Sequence, residues 1–205
     1  MRGEDTRTRL LAAARMHLEE RGLEGLTLRE IARRSGVSHG APLRHFPGLG
    51  DLLAEVAAEG FRDLRESIVE AVASAPAGCA PFDRLMCASR GYVNFAFAHR
   101  GVFELMFQHI GRAAASAELT AESAAALQVL SQLVGEAQGD GWQQDEHIDA
   151  VVAALWSAVH GFVVLWLSGA MPSALARAGG SADRDLLLDH ALRVVAGRGS
   201  ISGDA

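Results

Sequence analysis

Apolar side chains in this chain recur at intervals of three and four residues, and no segment keeps the apolar-polar alternation that a half-buried strand needs. That spacing predicts an all-α fold. The interruptions fall at turn residues: Gly22 and Gly25, Ser35-Gly36, Phe46-Pro47-Gly48, Ala75 to Gly78, His99 to Gly101, Ile110-Gly111, Gly139 to Gly141, and Gly169 to Gly180. They mark about nine helices, the last ending near Ala196, and leave 198–205 as a flexible tail. With 205 residues, 49% of them apolar, there is material for one sizeable core or two small ones, which excludes a disordered or fibrous chain.

The stretch from Ala150 to Met171 is long and apolar enough to raise the question of a bilayer. Ser157, His160, Gly161 and Ser168 interrupt it, and its flanks lack the arginine clusters that anchor a membrane helix. Ile148, Val152, Leu155, Val159, Phe162 and Trp166 follow one another at intervals of 4, 3, 4, 3 and 4, the seam of a helix packed on other helices. A helix this apolar in a chain of this size calls for a partner subunit, so the expectation is a homodimer and no membrane.

All 19 basic residues are arginines, set against 25 acids. Their distribution is uneven. Residues 1–47 hold nine arginines and six acids, a net +3, whereas the remainder holds ten arginines and nineteen acids, a net −9. A basic head on an acidic body is the asymmetry of a protein that meets a polyanion at one end. Two cysteines, Cys79 and Cys87, form neither a disulfide framework nor a metal-ligand spacing, and the first residues carry no apolar run of a signal peptide, so the expected setting is a reducing cytoplasm with no metal or cofactor.

Within the basic head, Thr27-Leu28-Arg29-Glu30 reads as a capping box: the threonine hydroxyl accepts from the backbone three residues on, and Glu30 reaches back to the cap. A helix therefore starts at Leu28 and ends at Gly36, the residue that enters the left-handed region without a Cβ clash. Ser38 offers a second N-cap, which predicts another short helix from about His39. Two short helices joined by a glycine turn make a helix-turn-helix, backed by Leu10, Leu11, Ala14 and Leu18 on a first amphipathic helix. Its second helix brings small residues, Gly40 and Ala41, ahead of Arg44; small side chains permit close approach to base edges, and an arginine pairs with guanine in bidentate fashion. Phe46 is expected to turn back into the core.

These residues, Leu28, Ile31, Ala32, Gly36, Val37 and Ser38, then His45-Phe46-Pro47 and Leu52-Leu53, resemble the N-terminal DNA-binding domain of TetR-family transcriptional regulators over about residues 5–60. A second resemblance lies in Trp156 to Gly161, preceded by Phe103 to Phe107, which is similar to the subgroup whose C-terminal domain is named for a Trp, His, Gly (WHG) pattern. The resemblance implies a helix-turn-helix domain at 1–47 and a helical effector-binding and dimerisation domain at 48–197. It also implies a double-stranded DNA operator of approximate two-fold symmetry, a small-molecule effector, and most naturally a repressor released by that effector. DNA contacts are expected from Thr27, Arg29, Ser38, His39, Gly40, Ala41, Leu43, Arg44 and His45. Where most relatives carry tyrosine and lysine that reach phosphates, this chain has Leu43 and Leu49, which predicts a shallower salt dependence and weaker affinity.

In the body, Tyr92, Phe95, Phe103, Met106, Phe107, Trp156, His160 and Phe162 are candidate walls of an apolar effector pocket, with His160 as its polar contact; taken singly, each also reads as plain core. The dimer is expected through helices at 145–169 and 183–196, the latter by Leu187, Leu188, Ala191, Leu192 and Val195. No phosphate loop, nucleophile elbow, zinc-protease pair or carboxylate pair in an apolar setting is present, and His99, Arg100 and Glu104 read as a charged helix start, so no enzymatic activity is expected. The alternative reading is a dimeric helical small-molecule-binding protein with weak or lost operator binding.

Overall fold

A computed structural model describes residues 2–109, 116–180 and 183–197. The break expected at Ile110-Gly111 and the tail at 198–205 lie outside them. Among the described residues there are nine α-helices, one three-residue 3-10 helix and no strand: α1 (Arg2–Arg21), α2 (Leu28–Ser35), the 3-10 helix (Pro42–Arg44), α3 (Leu49–Ala73), α4 (Pro81–Ala98), α5 (Arg100–His109), α6 (Ala117–Gly139), α7 (Ile148–Leu167), α8 (Ala170–Arg177) and α9 (Arg184–Val195). They form two compact units, residues 1–65 with 98–127, and residues 66–97 with 128–205.

In the first unit, Leu10, Leu11, Ala14 and Leu18 of α1 are buried as expected, with Ile31 and Ala32 of α2 and with Phe46, which does turn inward. Gly22, left-handed at φ 61, ends α1, and the buried His17 ties the following loop through its Nε2 to the Glu24 carbonyl at 2.8 Å. Two glycines set how closely helices approach. A Cβ on Gly101 would lie 2.1 Å from the Leu18 carbonyl oxygen, so the start of α5 rests directly on the backbone of α1. There the Glu19 carboxylate accepts from the Gly101 and Val102 amides at 2.9 and 3.3 Å, satisfying two donors that a helix start leaves orphaned. A Cβ on Gly60 would lie 2.7 Å from Met106 Sδ and Val102 Cγ1, so α3 crosses α5 at that point.

Charge reinforces the first unit. Glu55, Glu59 and Asp63, four residues apart, share one face of α3 and meet Arg7 and Arg15 of α1. On another side, Arg62 pairs with Glu118 and Glu122 of α6 at 3.0 and 3.2 Å, and Arg65 joins Glu122 at 3.4 Å.

In the second unit, a Cβ on Gly91 of α4 would lie 2.7 Å from the Ser67 carbonyl oxygen, and Ser67 Oγ donates to the Gly91 carbonyl at 3.1 Å. Phe82 packs on Trp142 at 5.3 Å, and the indole Nε1–H of Trp142 donates to the Ala196 carbonyl at 2.9 Å, holding the end of α9. Arg84 pairs with Glu136, and Arg90 with Asp189. The unexpected element is α8, which lies inside the break read from Gly169 to Gly180. Gly169, left-handed at φ 76, turns the chain, and Pro172 falls in the first helical turn, where its missing N–H costs nothing.

α7 is long and apolar enough to cross a membrane by length and composition. In the structure its predicted seam residues Val152, Leu155, Val159 and Phe162 are buried inside this unit, and α7 packs on α8 and α9.

Candidate functional site

The turn of the head is built as the spacing predicts at its start and differently at its end. Thr27 Oγ1 accepts from the Glu30 amide at 3.1 Å. The reciprocal half of the capping box is not made: the Glu30 carboxylate takes hydrogen bonds from Arg33 Nε and Nη2 at 2.8 and 2.6 Å, which hold its pKa below the usual carboxylate range. An arginine one turn on outcompetes a single backbone amide because it brings a charged, bidentate donor. Gly36, at φ 69 and ψ 29, closes α2, with the Val37 amide donating to the Ala32 carbonyl at 3.1 Å. Arg9 reaches across from α1 to the Ser35 carbonyl and covers the helix end.

The helix expected from His39 does not form there. Ser38 presents its carbonyl, not its hydroxyl, to the Ala41 amide at 2.9 Å, and regular structure is confined to the 3-10 helix Pro42–Arg44. The cause is Pro42, which has no N–H to bond the Ser38 carbonyl and is accepted only in a first turn. Of the nine residues expected at DNA, Thr27, Arg29, Ser38, His39, Gly40, Leu43 and Arg44 are exposed, and His45 is half-buried. Ala41 is buried with Pro42, so its side chain packs into the head. Leu43 is 63% exposed, a large apolar side chain in the middle of this surface. Ten arginines are matched to carboxylates; among the described residues Arg29 and Arg44, like Arg9, Arg21, Arg177 and Arg193, make no ion pair.

The candidate effector residues divide between the two units. Phe103, Met106 and Phe107 belong to the first, where Phe107 lies edge-on to Phe61 at 5.6 Å and 4.9 Å from Phe103. Tyr92, Phe95, Trp156, His160 and Phe162 belong to the second. Phe95 is buried, and Phe162 stacks on Trp166 at 5.3 Å. Tyr92, Trp156 and His160 form one cluster. The Tyr92 hydroxyl meets His160 Nδ1 at 2.9 Å, and the Tyr92–His160 and Trp156–His160 ring pairs lie edge to face with centroids 6.5 Å apart. Burial pushes the Tyr92 phenol far above its usual value and pulls the His160 imidazole below 6.5, so both are neutral at pH 7.

The dimer residues expected on α9 are corrected in part. Leu188 and Leu192 are buried inside the chain, because α9 turns that face onto its own unit. What it leaves outward is Leu186, Val194 at 69% exposure and Val195; α7 leaves Val164, Leu165, Ala153, Ala154 and Ser157. A Cβ on Gly161, on the same stretch of α7, would meet nothing within 4 Å. Cys79 and Cys87 are free thiols, and no group of His, Cys, Asp and Glu among the described residues is placed to hold a metal.

Several residues that hold the head carry no local signal. Arg9, Glu19 and Gly101 act through partners far along the chain and His17 through Glu24 seven residues on, and only Gly101, a glycine directly after a helix break, marks itself in the sequence.

Comparison with known proteins gives the same picture. Residues 85–195 match the family model of the tetracyclin repressor-like C-terminal domain, and residues 10–56 match that of bacterial regulatory proteins of the tetR family. An uncharacterized HTH-type transcriptional regulator of Mycobacterium tuberculosis is 40% identical over 76 residues, which is 37% of this chain and 39% of that protein. The curated relative is thus matched over about two fifths of its length. Among solved structures, a protein of unknown function from Rhodococcus sp. RHA1 superposes with a TM-score of 0.81 at 29% identity, over 93% of both chains. A TetR family transcription regulator from Marinobacter aquaeolei VT8 shares the fold, with a TM-score of 0.71 at 13% identity over 96% of both chains. The profile that spans residues 85–195 covers more than half of the sequence, and together with the N-terminal match it shows that this chain belongs to the TetR family of bacterial regulatory proteins.

Proposed function

We propose that the protein is a ligand-responsive DNA-binding transcriptional regulator, a cytoplasmic homodimer that represses from a pseudo-palindromic operator and is released by a small apolar or aromatic effector. The observation that carries this reading is the surface after α2: a turn fixed by Gly36 and Arg9 that exposes Ser38, His39, Gly40 and Arg44, with the Arg29 and Arg44 guanidiniums unmatched by carboxylates while most arginines elsewhere are paired. In a chain of net charge −6, exposed cations left unneutralised at the start of α2 and in the 3-10 helix that follows it suit phosphates and base edges. Arg29 and Thr27, at the start of α2, take the backbone; Arg44, in the 3-10 helix, takes a guanine edge. Trp156, His160 and Gly161 along one stretch of α7 support membership of the subgroup named for that pattern.

Dimerisation through α7 and α9 follows from their outward apolar residues, Val164, Leu165, Leu186, Val194 and Val195, with Gly161 leaving room for a second backbone to approach. The effector acts by linkage. A molecule that binds one spacing of the two heads better shifts the population by its differential affinity alone, and moving it from 1:99 to 99:1 takes about 5.5 kcal/mol.

The test is an electrophoretic mobility shift with DNA flanking the protein's own gene, at low and moderate salt. A retarded species that weakens with salt and is lost in Arg44→Ala supports the reading. No retardation at low salt, from a sample shown to be dimeric, overturns it in favour of a ligand-binding protein without an operator.

A further inference from the structure

We propose a ligand site for a small organic cation, outside the effector cluster, in the cleft where the loop between α6 and α7 meets the start of α7 and the end of α9. The cleft holds about 270 Å³, at the lower end of ligand pockets, which run to roughly 300–1,000 Å³. It therefore suits a molecule of one ring and a short chain. None of Tyr92, Trp156 and His160 lines it, so the proposal goes beyond the function put forward above and does not depend on it.

The walls set the body of the ligand. Trp142, Val151 and Leu155 are buried and apolar, and Ala150, Ala154 and Val195 complete the apolar lining. Gln143 and Glu146 supply the polar rim. That rim is fixed by the chain itself. Gln143 sits at φ 48, the one left-handed residue other than glycine among the described residues, a conformation that persists only where the surroundings hold it. Gln138 Nε2 holds it, donating to the Gln143 and Glu146 carbonyls at 2.9 Å each. The Trp142 indole N–H and Gln143 Nε2 both donate to the Ala196 carbonyl, at 2.9 and 3.4 Å, and tie the loop to the end of α9. A rim ordered in this way needs no rearrangement when a ligand enters.

Charge sets the head group. Glu146 is the one ionisable residue lining the cleft, and among the described residues its carboxylate makes no ion pair. From Gly139 to Ala150 the chain carries Asp140, Asp145, Glu146 and Asp149 and no arginine. Asp149, in the first turn of α7, already complements the positive end of that helix. An anion would enter this field with no cation to meet it, whereas an ammonium gains a charge-assisted hydrogen bond to Glu146 beside the aromatic wall of Trp142. Because Glu146 is exposed, solvent limits that gain to a few-fold in affinity. Ala154 and Val195 also stand on the outward face proposed for the dimer, so the competing occupant is a second copy of the chain.

The test titrates three probes of nearly one shape, 2-phenylethylammonium, 2-phenylethanol and phenylacetate, into the full-length protein at constant ionic strength. The indole N–H resonances of Trp142, Trp156 and Trp166, the three tryptophans of the chain, report the position, with Trp142 identified by elimination in Trp156→Phe and Trp166→Phe. 2-Phenylethylammonium is expected to shift the Trp142 resonance and to bind about fivefold tighter than 2-phenylethanol, with phenylacetate weakest. In Glu146→Gln the ammonium preference should fall to within about twofold while 2-phenylethanol binds as before. A response confined to Trp156, an affinity for phenylacetate equal to that for the ammonium, a preference untouched by Glu146→Gln, or no binding by any probe overturns the proposal and leaves the operator and effector readings standing. Binding seen only in Leu165→Arg, where the dimer is expected to come apart, also overturns it and assigns the cleft to the second copy.

Discussion

The two units leave different things unsatisfied. In the first, arginines and carboxylates are matched along α1, α3 and α6, the Glu19 carboxylate caps α5, and Arg29 and Arg44 stand without an ion pair beside an exposed turn. In the second, α7 carries almost no charge and buries one side against α8 and α9, and α7 and α9 leave Val164, Leu165, Val194 and Val195 outward. A surface of spare cations and a surface of spare hydrocarbon ask for different partners, a polyanion and a second copy of the chain. The comparison teaches that function is read best from what a unit's own packing fails to cover.

Four measurements can break or sharpen that contrast. The largest effect is expected from two glycines treated alike. Gly101→Ala drives a methyl to within 2.1 Å of the Leu18 carbonyl and should destabilise the first unit by about 3 kcal/mol or more in chemical unfolding. Gly161→Ala meets nothing within the chain and should leave the monomer at least as stable, while weakening any dimer that packs across it. Next comes Leu165→Arg, which puts a charge on the outward face of α7 at a residue 47% exposed in the single chain. It should cost about 2 kcal/mol or more of association, seen as dissociation in sedimentation equilibrium, with helix content unchanged. An unaltered dimer would move the interface elsewhere.

On the basic surface, Leu43→Tyr combined with Leu49→Lys should steepen the log–log salt slope of operator binding by about 1.8, at 0.9 for each phosphate neutralised. An unchanged slope would show that these positions do not face the backbone of a duplex. The smallest effect concerns acid. Burial holds the folded His160 pKa below the ordinary 6.5. As pH falls below that value the unfolded chain takes up the proton before the folded one, so stability is full above 6.5 and declines with acidity until the folded imidazole titrates. His160→Gln should flatten this part of a stability-against-pH curve between pH 7 and 5, whereas a slope identical to the native one assigns it to other groups.

How much of this the sequence shows can be followed residue by residue. Thr27 and Gly36 were legible because a cap and a left-handed stop are local requirements met by their own side chains within a few residues. The buried stripe of α1 and the seam of α7 were legible because helical periodicity alone decides which residues share a face. Three readings went astray where a competing partner intervened. Glu30 turned to Arg33 and not back to Thr27; Pro42 kept Ser38 from capping a full helix; and Pro172, read as part of a break, opened α8. The effector candidates, chosen as one apolar set, fell into two units because composition does not say which aromatic residues meet.

The sequence by itself thus determined the helical class, the place of the turn between α2 and the 3-10 helix, and the sign of charge at each end, since all three depend on intervals of four residues or fewer or on simple summation. Tertiary structure alone decided that α1 and α5 touch backbone to side at Gly101, that Leu188 and Leu192 face inward while Val194 faces out, and that Tyr92 stands against His160. Those pairings join residues tens of positions apart, and which of many apolar faces meets which is settled only when all of them compete for the same close-packed volume.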